Sequence, residues 1–148
     1  MSHRLGSGTR KRTRAEISFN MSQVRSTGSE IERLLEEALL AEKLRPVKHA
    51  AMLGHPDFIF KCMKVAVFCD SHFWHGFNWK TKKREIQRNR SFWWAKISGN
   101  IRRDRLVNRR LKQDGWSVIR FWEHQILKSP KRCAARVKEM IIAARNRT

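Results

Sequence analysis

Apolar residues never run long in this sequence: no stretch approaches the roughly 18 residues of a membrane-spanning helix, and the N-terminus lacks the apolar segment of a secretory signal. A soluble protein of the cytoplasm, with no membrane partner, is expected. Cysteine is sparse. The three present, Cys62, Cys69 and Cys133, are an odd number without CxxC spacing, which speaks against a disulfide framework or a four-cysteine zinc site. Acid is scarce too, with 13 Asp+Glu against 33 Lys+Arg and a formal net charge of +20. Such a surface suits a polyanion, because each neutralised phosphate releases condensed counterions.

What is present is enough for one core. The chain has 148 residues, of which 41% are hydrophobic, including six Trp and eight Phe. That length is expected to hold a single domain, without a second catalytic one. Residues 1–20 are rich in Gly, Ser, Thr and Arg without apolar periodicity and read as a flexible basic arm; residues 21–148 read as the folded domain.

Periodicity places the elements. From Ser29, a plausible N-cap with Glu32 as its capping-box partner, the residues Ile31, Leu34, Leu35, Ala38 and Leu39 follow one helical face that ends near Lys43, before Pro46. Asp57–Phe60 and the unbroken apolar run Val65–Cys69 suit buried strands. Residues 76–91 show no period and read as a long functional loop. A long helix from Ser91 carries Ile97, Ile101, Asp104, Asn108 and Leu111 on one stripe, with two polar residues interrupting it, and stops at Asp114-Gly115. Trp116–Trp122 reads as a strand, and Ala134, Val137, Met140, Ile141 and Ala144 as the face of a closing helix. The predicted fold is an α/β layered domain, a small mixed central β-sheet flanked by α-helices.

Chemistry concentrates in two places. Asp57, at the start of one strand, and Asp70, at the end of the next, are a way to bring together oxygen ligands for a hard ion such as Mg²⁺; the alternative is that Asp57 closes the Gly54-His55-Pro56 turn. Where strand gives way to basic loop stands Cys69-Asp70-Ser71-His72-Phe73-Trp74-His75. Its aromatics serve either as core or as stacking and wedging surfaces for bases. His75 is either a surface histidine or a general base. Asp104 is placed to orient it, or else to pair with Arg102, Arg103 or Arg105.

Motifs in unbroken order from about Met21 to His124 resemble the very short patch repair (Vsr) endonucleases: Met21-Ser22-Gln23-Val24-Arg25-Ser26, Glu32, Gly54-His55-Pro56-Asp57-Phe58, Val67 through Gly76, Phe92-Trp93 with Lys96-Ile97 and Asn100, Arg103-Asp104-Arg105, and Gly115-Trp116 through Trp122-Glu123. The resemblance implies a restriction-endonuclease-like fold of the PD-(D/E)XK superfamily and a bacterial, nucleoid-associated enzyme. Its reaction would be a nick in one strand of double-stranded DNA, 5′ to the thymine of a T:G mismatch left by deaminated 5-methylcytosine.

It further implies Asp57 and the Cys69 backbone carbonyl as Mg²⁺ ligands, His75 as the base oriented by Asp104, and Glu32 near the scissile phosphate. Asp70 falls close to the metal, and Met21, Phe73, Trp74, Trp93 and Asn100 fall among the mismatch-recognition residues. Mismatch-repair and repair-polymerase proteins would follow the nick, and a monomer is expected.

The sequence departs from the family at its zinc site, whose places hold His72, Phe77, Trp79 and His124. Two histidines do not complete a tetrahedral four-ligand zinc site, so packing by Phe77 and Trp79 is expected in its stead. Two other functions fit part of the evidence: a sequence-specific restriction-like or homing endonuclease on the same fold, and a catalytically silent basic DNA-binding protein.

Overall fold

Alternation along a single strand sorts the helices into layers. The computed structural model describes residues 29–147, apart from the side chain of Phe73. The basic arm and Met21 lie outside the described residues. A helix over residues 29–41 (α1) is followed by strands β1 (Val47–Lys48), β2 (Phe58–Phe60) and β3 (Val65–Asp70). Two short helices, α2 (His72–His75) and α3 (Trp79–Lys82), precede the long α4 (Arg90–Gln113). Strand β4 (Ser117–Trp122) and helices α5 (Glu123–Lys128) and α6 (Pro130–Asn146) complete the chain.

The four strands lie in chain order. β2 is antiparallel to both β1 and β3, whereas β4 runs parallel to β3, with Val65 opposite Ser117 and Asp70 opposite Trp122. The sheet is mixed and covered by helices, the expected α/β architecture. Successive side chains of a strand point to opposite faces. Val65 and Val67 therefore pack with Ile31, Leu35 and Leu39 of α1 and Val137 and Ile141 of α6, while Ala66 and Phe68 pack with Val107 and Leu111 of α4. Each large aliphatic or aromatic side chain so buried contributes about 1.5–3 kcal/mol, which is why β3 carries no polar residue before Asp70.

Local chemistry sets the ends. Ser129 caps α6 by accepting the Arg132 N–H at 3.2 Å, with Pro130 in the first turn, where its missing N–H costs nothing. Gly76 closes α2 at φ 68°, and a Cβ there would lie 2.5 Å from Ile101 Cδ1 of α4. A side chain at that position would force α2 away from α4.

The expected loop over 76–91 is not a plain loop. It contains α3 and a 3₁₀ turn at Lys83–Glu85. The His72–His75 stretch, read as the margin of strand and loop, is a helical turn capped by Ser71. Elements of two to six residues are too short to display a helical period or a clear alternation, which is also why the sequence does not signal β1 or α5. The boundaries of α4 and β4 agree with the sequence expectation to within one residue.

Candidate active site

Among the described residues, two groups of carboxylate and imidazole atoms lie within 4.8 Å of one another: Glu32, His49 and Asp57, and Asp70, His75 and Asp104. The first is assembled from α1, the residue after β1, and the turn before β2. Pro56 is fully buried, and it delivers Asp57 to the lip of the sheet, where Oδ2 accepts the Cys69 N–H at 2.7 Å. The backbone N–H of His49 donates to the Asp57 carbonyl at 3.2 Å, and His49 Nε2 stands 3.5 Å from Glu32 Oε2. Burial is the main reason the Asp57 carboxyl is pushed up to about 7; the Cys69 N–H works against that shift and the Glu32 charge adds to it. Two acids crowded together beside an imidazole are a site that a cation would relieve.

The second group comes from the end of β3, from α2 and from the middle of α4. His75 Nδ1 lies 2.7 Å from Asp104 Oδ2 and 3.7 Å from Asp70 Oδ1. Because one ring nitrogen donates to Asp104, the other is left to accept a proton. Burial opposes the charged imidazole, but the hydrogen bond to Asp104 and the charges of Asp70 and Asp104 outweigh it and hold His75 above its usual range. Asp70 is shifted upward, chiefly by burial, despite His75 and Arg120.

The two polar interruptions of the α4 stripe thus have a cause: Asp104 meets His75, and Asn108 Oδ1 accepts from Arg120 Nε at 2.7 Å. The structure does not place Asp57 and Asp70 in one group. Each acid has its own neighbours, because β3 separates the turn that carries Asp57 from the face that α4 covers.

Next to His75 lies an aromatic surface. The rings of Trp74 and Trp93 are 6.1 Å apart at 56°, Phe92 meets Trp93 edge to face at 5.0 Å, and Lys96 Nζ stands 5.8 Å from the Trp74 centroid. Phe92 is 58% exposed. Asn100 Nδ2 donates to the Trp74 carbonyl at 3.1 Å, so its amide braces α2 against α4. Phe73 lies in α2, but its side chain is outside the described residues.

At the positions where the resemblance implies a departure from zinc ligation, His72 Nε2 and His124 Nδ1 are 2.7 Å apart, and the Phe77 ring stacks on His72 at 4.4 Å and meets Trp122 edge-on at 5.1 Å. Glu123 Oε1 accepts the His72 N–H at 2.7 Å. Burial, reinforced by His124, lowers the His72 imidazole against the pull of Glu123. Phe77 packs into this cluster as expected. Trp79 does not; its Nε1 donates to Ser98 Oγ at 3.2 Å.

Sequence reasoning missed His49 and Arg120. For His49 no local signal exists, since it follows a two-residue strand. Arg120 had one: a guanidinium inside the otherwise apolar run Val118–Trp122 has to be paired once buried.

Residues 9–81 match the family described as DNA mismatch endonuclease Vsr. Among similar proteins, the type II nicking enzyme V.NmeDIP of Neisseria meningitidis serogroup C is 46% identical over 82% of this chain and 82% of its own length. The type II nicking enzyme V.HpaIIP of Haemophilus parainfluenzae is 38% identical over 79% and 84%. The DNA mismatch endonuclease Vsr of Escherichia coli is 31% identical over 86% and 76%. These identities run through most of both partners in each comparison, so the chain belongs to the Vsr family of DNA endonucleases.

Proposed function

We propose that this endonuclease nicks one strand of duplex DNA at a T:G mismatch, 5′ to the thymine, with a divalent metal ion, Mg²⁺ by preference. The observation that carries this reading is the Trp74–Trp93 pair, with exposed Phe92, held beside the His75–Asp104 pair by the same two helices. A wobble pair is poorly stacked, so inserting aromatic rings there costs less than in a fully paired duplex, where unstacking costs a few kcal/mol per step. One rigid frame then couples recognition to cleavage.

In this mechanism the net charge of +20 draws the duplex in. Phe73, Trp74 and Trp93 enter from one groove, and Met21 from the other. Asp57 and the Cys69 carbonyl would hold the metal ion, with Glu32 beside it. The donors fit a hard cation, since the carboxyls of Asp57 and Glu32 meet beside the Cys69 backbone with, among the described residues, no cationic side chain other than His49 in their group. When bound, the ion supplies positive charge at the scissile phosphate. His75 takes a proton from the attacking water, and Asp104 keeps the ring oriented and stabilises the imidazolium. Water oxygen bonds to phosphorus as the bond to the leaving oxygen breaks. The enzyme works as a monomer on nucleoid DNA, and the nick is the entry point for mismatch-repair proteins and a repair polymerase.

A second reading has support of its own, because two of the similar proteins are named type II nicking enzymes. In it the chain cuts a fully paired recognition site. A nicking assay with Mg²⁺ on T:G and C:G versions of one duplex with randomised flanks separates the two. Cleavage confined to T:G supports the mismatch reading, and equal cleavage of both replaces it with the second.

A further inference from the structure

Of the two carboxylate–histidine groups, one already contains a cation. Arg120 stands in β4 opposite Phe68 of β3, its guanidinium carbon 3.9 Å from the centroid of that ring. Nη1 donates to both oxygens of Asp70, at 3.1 and 3.3 Å, and lies 3.6 Å from Asp104 Oδ1. Nε is committed to Asn108, and Nη2 is buried without a hydrogen-bond partner. The side chain is only 16% exposed. A guanidinium keeps its proton in any protein environment and presents its donors in a fixed fork, so this charge is permanent and its direction is set.

We propose that Arg120 is a built-in cation that takes the place of a metal ion at the Asp70–His75–Asp104 group, which leaves the enzyme one divalent-ion site, at Asp57, and makes Arg120 a positioning residue for His75. The inference rests on the roles given above to Asp57 and His75. Its geometry is that of a bridge. Asp104 gives Oδ2 to His75 and turns Oδ1 toward Arg120, so neither oxygen is free to chelate. Asp70 spends both oxygens on Nη1 while Oδ1 also faces His75 Nδ1 at 3.7 Å. An ion entering this group would meet a fixed positive charge at contact range with every carboxylate oxygen already engaged. Conversely, removing the guanidinium would leave two facing acids without a counter-charge, and Asp104 would hold the imidazole ring by its one hydrogen bond with its other oxygen unanchored.

The test is a Mn²⁺ titration of the full chain, with free ion counted by electron paramagnetic resonance. Wild type should bind one equivalent, lost in Asp57→Asn and retained in Asp70→Asn. Arg120→Gln should gain a second equivalent that disappears when Asp70→Asn is added. Two equivalents in wild type, one of them lost in Asp70→Asn, would overturn the inference. A wild type that binds no Mn²⁺ would instead count against the Asp57 metal site, and a second measurement then decides on Arg120. Single-turnover nicking by Arg120→Gln should fall roughly 10–100-fold, as supporting-shell substitutions do, with KM unchanged, and the ¹⁵N resonances of the His75 ring should move. Arg120→Lys, which keeps the charge but not the fork, should recover part of the rate. A folded Arg120→Gln protein that gains no ion, keeps its rate and shows an unchanged His75 spectrum would also overturn the proposal.

Discussion

Asp57 and His75 are held in opposite electrostatic conditions, and that difference yields separate tests. The Asp57 carboxyl is raised from an ordinary 3.8 to about 7, mostly by burial. A group whose folded pKa lies above its unfolded one contributes stability that is fully present below the unfolded value and is lost as pH rises through the folded value. The metal-free protein should therefore lose stability between about pH 4 and pH 7. Asp57→Asn keeps an oxygen for the Cys69 N–H and cannot ionise. Without metal it should melt higher than wild type at pH 8 and no higher at pH 4, at roughly 2–4 °C per kcal/mol for a chain of this size, while nicking is abolished. Equal melting shifts at both pH values would remove the burial argument.

As the base of the proposed mechanism His75 acts in its neutral form, so with saturating metal the single-turnover rate should rise with pH along a limb centred above the usual imidazole value. Asp104→Asn takes away the hydrogen-bonding anion that raises His75. That limb should move to lower pH and the plateau should drop, by less than the roughly 10²–10⁴-fold loss in His75→Ala. A limb that stays in place in Asp104→Asn would mean that a different group titrates.

At the scale of elements, the site depends on how α2 lies on α4. Gly76 allows their close approach, and Asn100 ties the Trp74 carbonyl to α4. Trp74→Ala should remove stacking worth about 1–3 kcal/mol per base and weaken T:G binding far more than binding to a matched duplex. Competition binding at fixed salt reads this difference, and equal losses on both duplexes would make Trp74 a general contact. The end of α2 also bears on metal content. Phe77 packs on His72 and His124, and two histidines do not complete a four-ligand zinc site, so purified protein should carry less than one equivalent of zinc and keep its melting temperature after chelation. Stoichiometric zinc, lost together with the fold, would show that His72 and His124 have recruited further ligands.

For the molecule as a whole, charge and shape divide the work. A surplus of twenty positive charges is far more than the site uses. In the proposed mechanism it supplies affinity for any duplex, while the aromatic surface and the carboxylate groups supply selection. If the footprint neutralises roughly six to ten phosphates, affinity for matched DNA should fall about 10³–10⁵-fold between roughly 50 and 200 mM salt. The ratio of T:G to matched binding should change much less, because stacking releases no counterions. Filter binding across a salt series checks both, and a ratio that collapses with salt would assign discrimination to charge instead.

Much of this was legible in order along the chain. The helical period of Ile31, Leu35 and Leu39, the apolar run of β3 and the stripe of α4 each express a local rule: apolar side chains spaced to share one face must bury that face together. The motif residues Asp57, His75 and Asp104 could be named because they stand at the ends or interruptions of such patterns. Tertiary structure decided how these residues are shared out between neighbours. Parallel pairing of β3 with β4 carries Arg120 beside Asp70 across 50 residues of sequence. The antiparallel pairing of β1 with β2 brings His49 to Asp57, and β3 keeps Asp57 apart from the group on the α4 side. No local pattern records these pairings, because they come from hydrogen-bond ladders and buried charge balance between segments far apart in the chain.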